Sequence, residues 1–280
     1  MPLRDDLGTR MKENYENRAK TYLTRRMPVA IRIDGKAFHT FTKGFGKPFD
    51  HILMLTMQQT MKYLCENIQG CVLGYTQSDE ITLILQDYKT LTTDAWFDYA
   101  VQKMCSISAS MATMAFNKFF ATNVQKAVND YLANASGSSS DKQSAYLDAL
   151  IVAKYKGAMF DARCFNIPKE EVTNLIYWRQ QDATRNSIQM AGQAYFSHKQ
   201  LQGKSCSEIQ DMLMLQKGVN WNNYSTPEKR GSCCIKWTEI DDYDLDNIDI
   251  IHRWIIDENI PIFVNEGRNY IEELINCEEE

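Results

Sequence analysis

No apolar run in this 280-residue chain approaches the ~20 residues needed to cross a bilayer. The start MPLRDDLGTRMKENYENR also lacks the apolar core of a signal peptide. A soluble, cytoplasmic protein is expected, with an organellar setting also open and no membrane partner. No C-x-x-C pair is present among the eight cysteines at 65, 71, 105, 164, 206, 233, 234 and 277. That absence argues against a zinc ribbon or a disulfide framework and for reduced, mostly buried thiols. Bulk positive charge is missing too: the net charge is −5, which excludes a protein that coats nucleic acid by electrostatics alone.

What is present is unevenly distributed. Residues 1–47 hold eleven Lys/Arg against five Asp/Glu, whereas residues 239–280 hold two against fourteen. The basic N-terminal segment can meet phosphates locally or simply form a solvated helix face. A hydrophobic fraction of 44% and a charged fraction of 24% are those of an ordinary folded chain.

Along the chain, residues 10–25 read as a short helix ended by Pro28, and VAIRI (29–33) as a buried strand running into Asp34-Gly35. Leu53, Met57, Met61 and Leu64 have the spacing of a helix over 52–67. CVLGYT (71–76) and ITLIL (81–85), joined by Gln77-Ser78-Asp79-Glu80, form a hairpin with an acidic tip. A long helix is expected from Ala95 to about Phe120. NASGSSSDKQS then reads as a flexible loop, taken over 133–145, GAMFDARCFNI (157–167) as a strand, and the rest as mainly helical with a further strand at CCIKW (233–237). This divides the chain into 5–132, a loop, and 146–280.

Strand, helix, strand, strand, helix, strand is the split β-α-β order, in which the third strand lies between the first two and antiparallel to the first. Asp34 then meets Asp79 and Glu80. Like charges gathered at strand ends raise one another's proton affinity, which a divalent cation relieves. Oxygen donors without Cys or His favour Mg²⁺, and Mg²⁺ favours phosphoryl chemistry. The following GKAFHTFTKGFGKPFD is a Gly- and Lys-rich turn able to offer backbone N–H groups and the charges of Lys36, Lys43 and Lys47 to a polyphosphate, although it matches no standard phosphate loop.

Four segments, RIDGKAFHTFTKGFGKPFD (32–50), GYTQSDEITLIL (74–85), FDARCFNIP (160–168) and WRQQDATRNSI (178–188), resemble the tRNA-histidine guanylyltransferases and their guanylyltransferase-like relatives. The resemblance implies an α+β fold: a polymerase-type palm with a ferredoxin-like antiparallel sheet and helices on one face, followed by the helical C-terminal region. It implies a nucleotidyltransferase that extends the 5′ end of tRNA in the 3′-to-5′ direction, using two Mg²⁺ ions, ATP as activating co-substrate and GTP or another NTP as substrate, and assembling as a homotetramer.

Position by position, the resemblance makes Asp34, the Gly35 carbonyl and Asp79 the metal ligands and Glu80 an auxiliary carboxylate. Gly35, Lys36, Ala37, Phe38 and His39, with Lys47 and Ser78, would hold the triphosphate, and Thr42 and Asp50 would lie near the base. Lys103 matches a lysine that activates the RNA 5′ phosphate, while the neighbouring family arginine is Ala100 here. Arg163, Arg179 and Asn186 are grouped with that activation or RNA-binding function. Where the histidine-specific enzymes carry His-Ile-Asn-Asn or His-Ile-Asn-Gln, this chain has Thr184-Arg185-Asn186-Ser187. The difference is that of the relatives that repair truncated tRNA 5′ ends against a template.

Untemplated guanosine addition, a palm-type cyclase or conventional polymerase, and a non-enzymatic RNA-binding module stand as alternatives. The last lacks an RNP-like aromatic pattern. Asp242, Asp244 and Asp246 mimic a calcium loop but have Asn247 at its sixth position and Arg253 at its twelfth, so a solvated acidic loop is the reading. Trp178, Trp221, Trp237 and Trp254 are expected in a core or an interface.

Overall fold

The computed structural model describes residues 6–134, 141–241 and 249–276. Ten helices and six strands are found among them: α1 (Asp6–Met11), β1 (Val29–Gly35), α2 (Phe38–Phe41), α3 (His51–Asn67), β2 (Cys71–Gln77), β3 (Glu80–Leu85), α4 (Val101–Asn134), α5 (Asp141–Lys156), β4 (Phe160–Asn166), α6 (Val172–Tyr195), α7 (His198–Leu201), α8 (Cys206–Lys217), α9 (Thr226–Arg230), β5 (Ser232–Asp241), β6 (Asp249–Asp257) and α10 (Asn269–Ile275). The strands form one sheet in the order β4-β1-β3-β2-β5-β6, every neighbouring pair antiparallel. Its first four strands have the expected split β-α-β arrangement, with β3 between β1 and β2.

The period-2 alternation of β1 decides what each face of the sheet does. Val29, Ile31 and Ile33 point into one core with Ile81, Leu83 and Leu85 of β3, Met57, Met61 and Leu64 of α3, and Phe116 and Phe120 of α4. Ala30 and Ile84 point into a second core with Leu73, Tyr75, Val172 and Ile176 of α6, and Ile271 and Ile275 of α10. Helices therefore cover both faces, where a single covered face was expected. The reason is visible in β3, whose six residues are all buried. A strand apolar on both sides must be covered on both. A third, smaller cluster joins the second half of α6 to α8 through Ile188, Ile209, Leu213 and Trp221.

Other differences are local. The N-terminal segment is a short α1, a π-helical turn and a 3₁₀ turn ending at Ala19, with nothing buried. The long helix begins later and runs further, 34 residues from Val101 to Asn134. Helix α5 starts at Asp141, whose acid suits the positive end of a helix, so helix occupies residues 141–145 of the expected loop. Residues 135–140 and the acidic run Asp242, Asp244 and Asp246 lie outside the described residues, as does Cys277. The C-terminal part carries a second strand, β6, that the helical reading missed. Among the described residues no helix is long and apolar enough to cross a membrane.

Candidate active site

The sheet register builds the site at one end of β1. Asp34 stands opposite Glu80 on β3 and opposite Asp161 on β4. The N–H of Gly35 donates to the Asp79 carbonyl at 3.0 Å, which fixes the hairpin tip against the end of β1. Three of the carboxylates that meet here, Asp34, Asp79 and Glu80, were predicted from sequence; Asp161 was missed, although the alternation in Phe160-Asp161-Ala162-Arg163 could have placed it.

Because Arg32 and Asp34 share the α6 face, arginines reach the same end of the sheet. Glu80 is buried and its Oε2 accepts from Nη2 of Arg32 at 2.9 Å and Nη2 of Arg179 at 3.1 Å. Nε of Arg179 also lies 2.7 Å from Oε1 as an ion pair, off the line of its own N–H, so the directed bonds are those to Oε2. Nη2 of Arg179 further donates to Asp182 at 2.7 Å, and Asp182 accepts from Nη2 of Arg185 at 2.6 Å. Arg163 donates to Asp161 at 3.0 Å.

Arg179, expected among the activation or RNA-binding residues, has a side chain only 4% exposed with two carboxylates around it, the position of a buried brace. Glu80, expected as an auxiliary carboxylate, has its charge spent on two arginines. The contrast with its neighbours is direct: among the described residues, neither Asp34 nor Asp79 pairs with a lysine or arginine. Burial pushes the Asp79 carboxyl upward; the Ser78 hydroxyl, 3.0 Å from Oδ1, works against that, and the charges of Asp34 and Glu80 add to the rise.

The turn after Asp34 is built as a concave run of donors. A Cβ on Gly35 would sit 2.3 Å from the Phe38 ring, so only glycine lets that ring fold beneath the turn. Ala37 takes a left-handed conformation, φ 55°, at the start of α2. The Phe38 ring packs 5.0 Å from Phe41, 5.5 Å from Phe116 and 5.3 Å from Phe160, anchoring the turn in the core. Of the five backbone N–H groups expected to face a polyphosphate, two are engaged: Gly35 with Asp79, and Lys36 with the Met159 carbonyl at 2.8 Å. Among the described residues Ala37, Phe38 and His39 have no protein acceptor for theirs. Lys36, His39 and Lys47 are exposed.

Thr42 and Asp50 serve the turn's architecture. The Thr42 hydroxyl donates to the Phe38 carbonyl at 2.8 Å. Asp50 caps α3 by accepting from Leu53 N at 2.9 Å, and its other oxygen accepts from Gly46 N and the Tyr146 hydroxyl, each at 2.9 Å. Asp50 nonetheless borders the site, and its Oδ1, with one bond, keeps an acceptor position. Beside it opens a cleft of about 650 Å³, counting its mouth, between the start of α3, the end of β2, the middle of α6 and the segment around α9. Leu53, Met57 and Met190 give it apolar walls, and Ser78, Asn186 and Arg230 bring polar groups to it. The α9 contribution was not legible in sequence. In the divergent tetrapeptide, Arg185 is held by Asp182, while Asn186 and Ser187 both line the cleft, Ser187 accepting from Trp221 Nε1 at 3.0 Å.

Lys103 is not brought to this cluster. Phe160, opposite Gly35, donates through its backbone to Thr113 of α4 at 3.1 Å, so Thr113 marks the level of the site. Ten residues earlier on the same helix, Lys103 stands about 15 Å along the axis, with Nζ 5.2 Å over the Phe97 ring. Among the tryptophans, Trp221 is buried as expected, whereas Trp178 is 48% exposed and carries the Arg179 guanidinium 4.4 Å from its ring centre. Among the described residues no group of three or more His, Cys, Asp or Glu side chains is placed to hold a metal.

A family model described as tRNAHis guanylyltransferase (Thg1) matches residues 8–168, which contain the hairpin, the turn and the β4 end of this cluster. The chain belongs to the tRNAHis guanylyltransferase family. It is accordingly a nucleotidyltransferase. The tRNA(His) guanylyltransferase of Saccharomyces cerevisiae is 26% identical over 230 residues, covering 76% of this chain and 84% of the yeast protein. Two solved structures of a bacterial tRNA(His) guanylyltransferase-like protein extend the likeness to nearly the whole chain. The one in complex with ATP has 39% identity and a TM-score of 0.76, covering 97% of this chain and 100% of that one. The one in complex with GTP has 36% identity and a TM-score of 0.75, covering 98% and 100%. The likeness therefore includes α6 to α10, beyond the span of the family match.

Proposed function

We propose that this guanylyltransferase-family enzyme adds nucleotides in the 3′-to-5′ direction to the 5′ end of tRNA, repairing truncated ends against the opposite strand. The observation that carries the reading is the unneutralised pair Asp34 and Asp79 in a cluster whose other carboxylates, Glu80, Asp161 and Asp182, each have an arginine. Two half-buried like charges with hard oxygen donors suit Mg²⁺, which Asp34, Asp79 and the Gly35 carbonyl would hold. Bound there, two such ions supply charge neutralisation for a triphosphate and for the attacking and leaving oxygens.

The chain's own groups do the positioning. The N–H groups of Ala37, Phe38 and His39 receive the triphosphate of the incoming nucleotide, with Lys36 and Lys47 offsetting its charge. The adjoining cleft takes its nucleoside. The 3′ hydroxyl of that nucleotide attacks the 5′ phosphorus of the RNA, a new P–O bond forms, and AMP or pyrophosphate leaves according to whether ATP activated a monophosphate or the end carried a triphosphate. Glu80 and Arg179 act as positioning residues that hold Arg32 at the rim of the site. Selection of the base by pairing with the opposite strand rests on the tetrapeptide Thr184-Arg185-Asn186-Ser187, which resembles that of the repair relatives. The homotetramer expected from the family is supported by α1, which buries nothing and exposes Leu7 and Met11; a mass measurement in solution tests it.

The deciding assay offers a tRNA lacking its first nucleotide together with each labelled NTP and Mg²⁺. Incorporation that follows the opposite strand is the expected result. Guanosine alone, whatever faces it, would replace this reading with untemplated addition, and no incorporation by protein that binds tRNA would replace it with a binding module.

A further inference from the structure

The seven described cysteines differ in access and in company. Cys65, Cys71, Cys233 and Cys234 are buried in the sheet cores, beyond the reach of a dissolved oxidant. Cys206 is partly exposed but belongs to the separate α6–α8 cluster. Cys105 in the second turn of α4 and Cys164 on the edge strand β4 combine both properties: each is partly exposed, and their sulfurs lie 3.6 Å apart, in direct contact with no atom between them. The contact follows from the register. Cys164 faces Ile31 across the ladder and shares its side of the sheet, the side on which α4 packs. Neither thiol takes part in the chemistry proposed for the carboxylate end.

We propose that Cys105 and Cys164 form a reversible disulfide under peroxide, a redox staple that ties the start of α4 to strand β4. The two thiols supply two electrons and two protons. The Cys105 sulfur attacks a peroxide oxygen, the O–O bond breaks, and a sulfenic acid and one water result. The Cys164 sulfur then attacks the oxidised sulfur, the S–O bond breaks, and a second water leaves as the S–S bond forms. A dithiol reductant returns the two electrons. The order of attack has a physical basis: burial and then the neighbouring Cys105 push the Cys164 thiol up to about 12, so Cys164 is slow to meet peroxide itself, and its proton passes to the departing hydroxide when it attacks the oxidised Cys105 beside it. In a reducing compartment such a bond is transient, the usual form of a disulfide there.

The bond would close a loop spanning 59 residues of sequence separation, between two elements otherwise joined by packing, so it should stiffen them measurably. The test treats the full-length protein with hydrogen peroxide, quenches free thiols, and maps peptides by mass without reduction. A 105–164 linked peptide lighter by two hydrogens and reversed by dithiothreitol is expected, with a melting temperature raised on the order of 5 °C and slower amide exchange in the first turns of α4. Cys105→Ser and Cys164→Ala should each lose the link and the shift while melting like the reduced parent. Sulfinic acid at either position with no link would overturn the proposal. So would a link that leaves melting and exchange unchanged, or a peroxide-induced shift that survives in both variants.

Discussion

The two faces of the central sheet are made from the same strands and obey opposite rules. On the α3–α4 side, Ile31 and Ile33 of β1 disappear into an apolar core shared with Met61 and Phe116. On the α6 side, the residues between and after them, Arg32 and Asp34, stand in a charged cluster with Glu80, Asp161, Arg179 and Asp182. One residue of offset separates structure from chemistry. The apolar face holds the register rigid, since slipping it by one would turn every isoleucine of β1 to the charged face, and that rigid register is what lets Gly35 and Asp79, 44 apart in sequence, meet in a hydrogen bond.

The strongest break in this contrast comes from removing a charge that the fold does not need. Asp79→Asn should lower nucleotide incorporation by about 10⁴-fold, roughly 5.5 kcal/mol of transition-state stabilisation, while the protein melts no lower than its parent. The sign of the stability change follows from the raised Asp79 carboxyl. A carboxyl whose folded value lies above its unfolded one stabilises fully below the unfolded value, near pH 3.9, and that contribution is lost as pH rises through the folded value. At neutral pH the charge is therefore a cost, and the asparagine variant should melt slightly higher, with the advantage vanishing in acid. Melting curves at several pH values check this. A variant that melts lower at pH 7 would show that Asp79 is structural.

On the opposite face the pattern should invert. Phe116 is fully buried and touches the rings of Phe38, Phe41, Phe120 and Phe160. Phe116→Ala should cost about 3–5 kcal/mol in denaturant unfolding, with the remaining folded protein still binding nucleotide. Between the two extremes lies Glu80, charged yet buried. Glu80→Gln removes the counterion of Arg32 and half that of Arg179, and should destabilise by about 3 kcal/mol besides lowering incorporation; a loss of activity at unchanged stability would place Glu80 among the reacting groups instead. Asp50→Ala sits lower on the scale. It deletes the α3 cap and the Gly46 and Tyr146 bonds, for about 1–2 kcal/mol, and a change in nucleotide preference at full stability would assign a base-reading role to it.

What could be read in advance follows the same division. Helix α3 was legible from its one-sided apolar spacing, β1 and the β2–β3 hairpin from short β-rich runs bounded by turns, and the meeting of the β1 end with the hairpin tip followed from strand order alone. The covering of the second face was written in the unbroken apolar run of β3 but not drawn from it. The arginine brace was illegible for a different reason: Arg179 lies 99 residues from Glu80, and nothing local in Trp178-Arg179-Gln180 distinguishes an inward guanidinium from a solvated one. Strand β6 escaped because its partner β5 lies across the run Asp242 to Asn247, whose acidity reads as solvent-exposed chain. Arg230, brought to the cleft by α9, had no signal beyond its charge.

Lys103 offers the finest test, because the resemblance and the geometry pull apart there. The family pattern assigns it to activation of the RNA 5′ phosphate, yet it stands about 15 Å down α4 from the level of Asp34, its ammonium over Phe97 and not over a carboxylate. A cation at that distance cannot share the metals' phosphate, but it can meet the end of an RNA, or the triphosphate of an activating ATP, laid along the α4 side of β4. If so, Lys103→Ala should reduce incorporation into a 5′-monophosphate tRNA about fivefold more than into a 5′-triphosphate one, a difference near 1 kcal/mol, with unchanged melting. Equal losses on the two substrates would reduce Lys103 to a general RNA contact. No loss on either would leave the carboxylate end of the sheet, with its arginines and the free donors of Ala37 to His39, as sufficient for both steps.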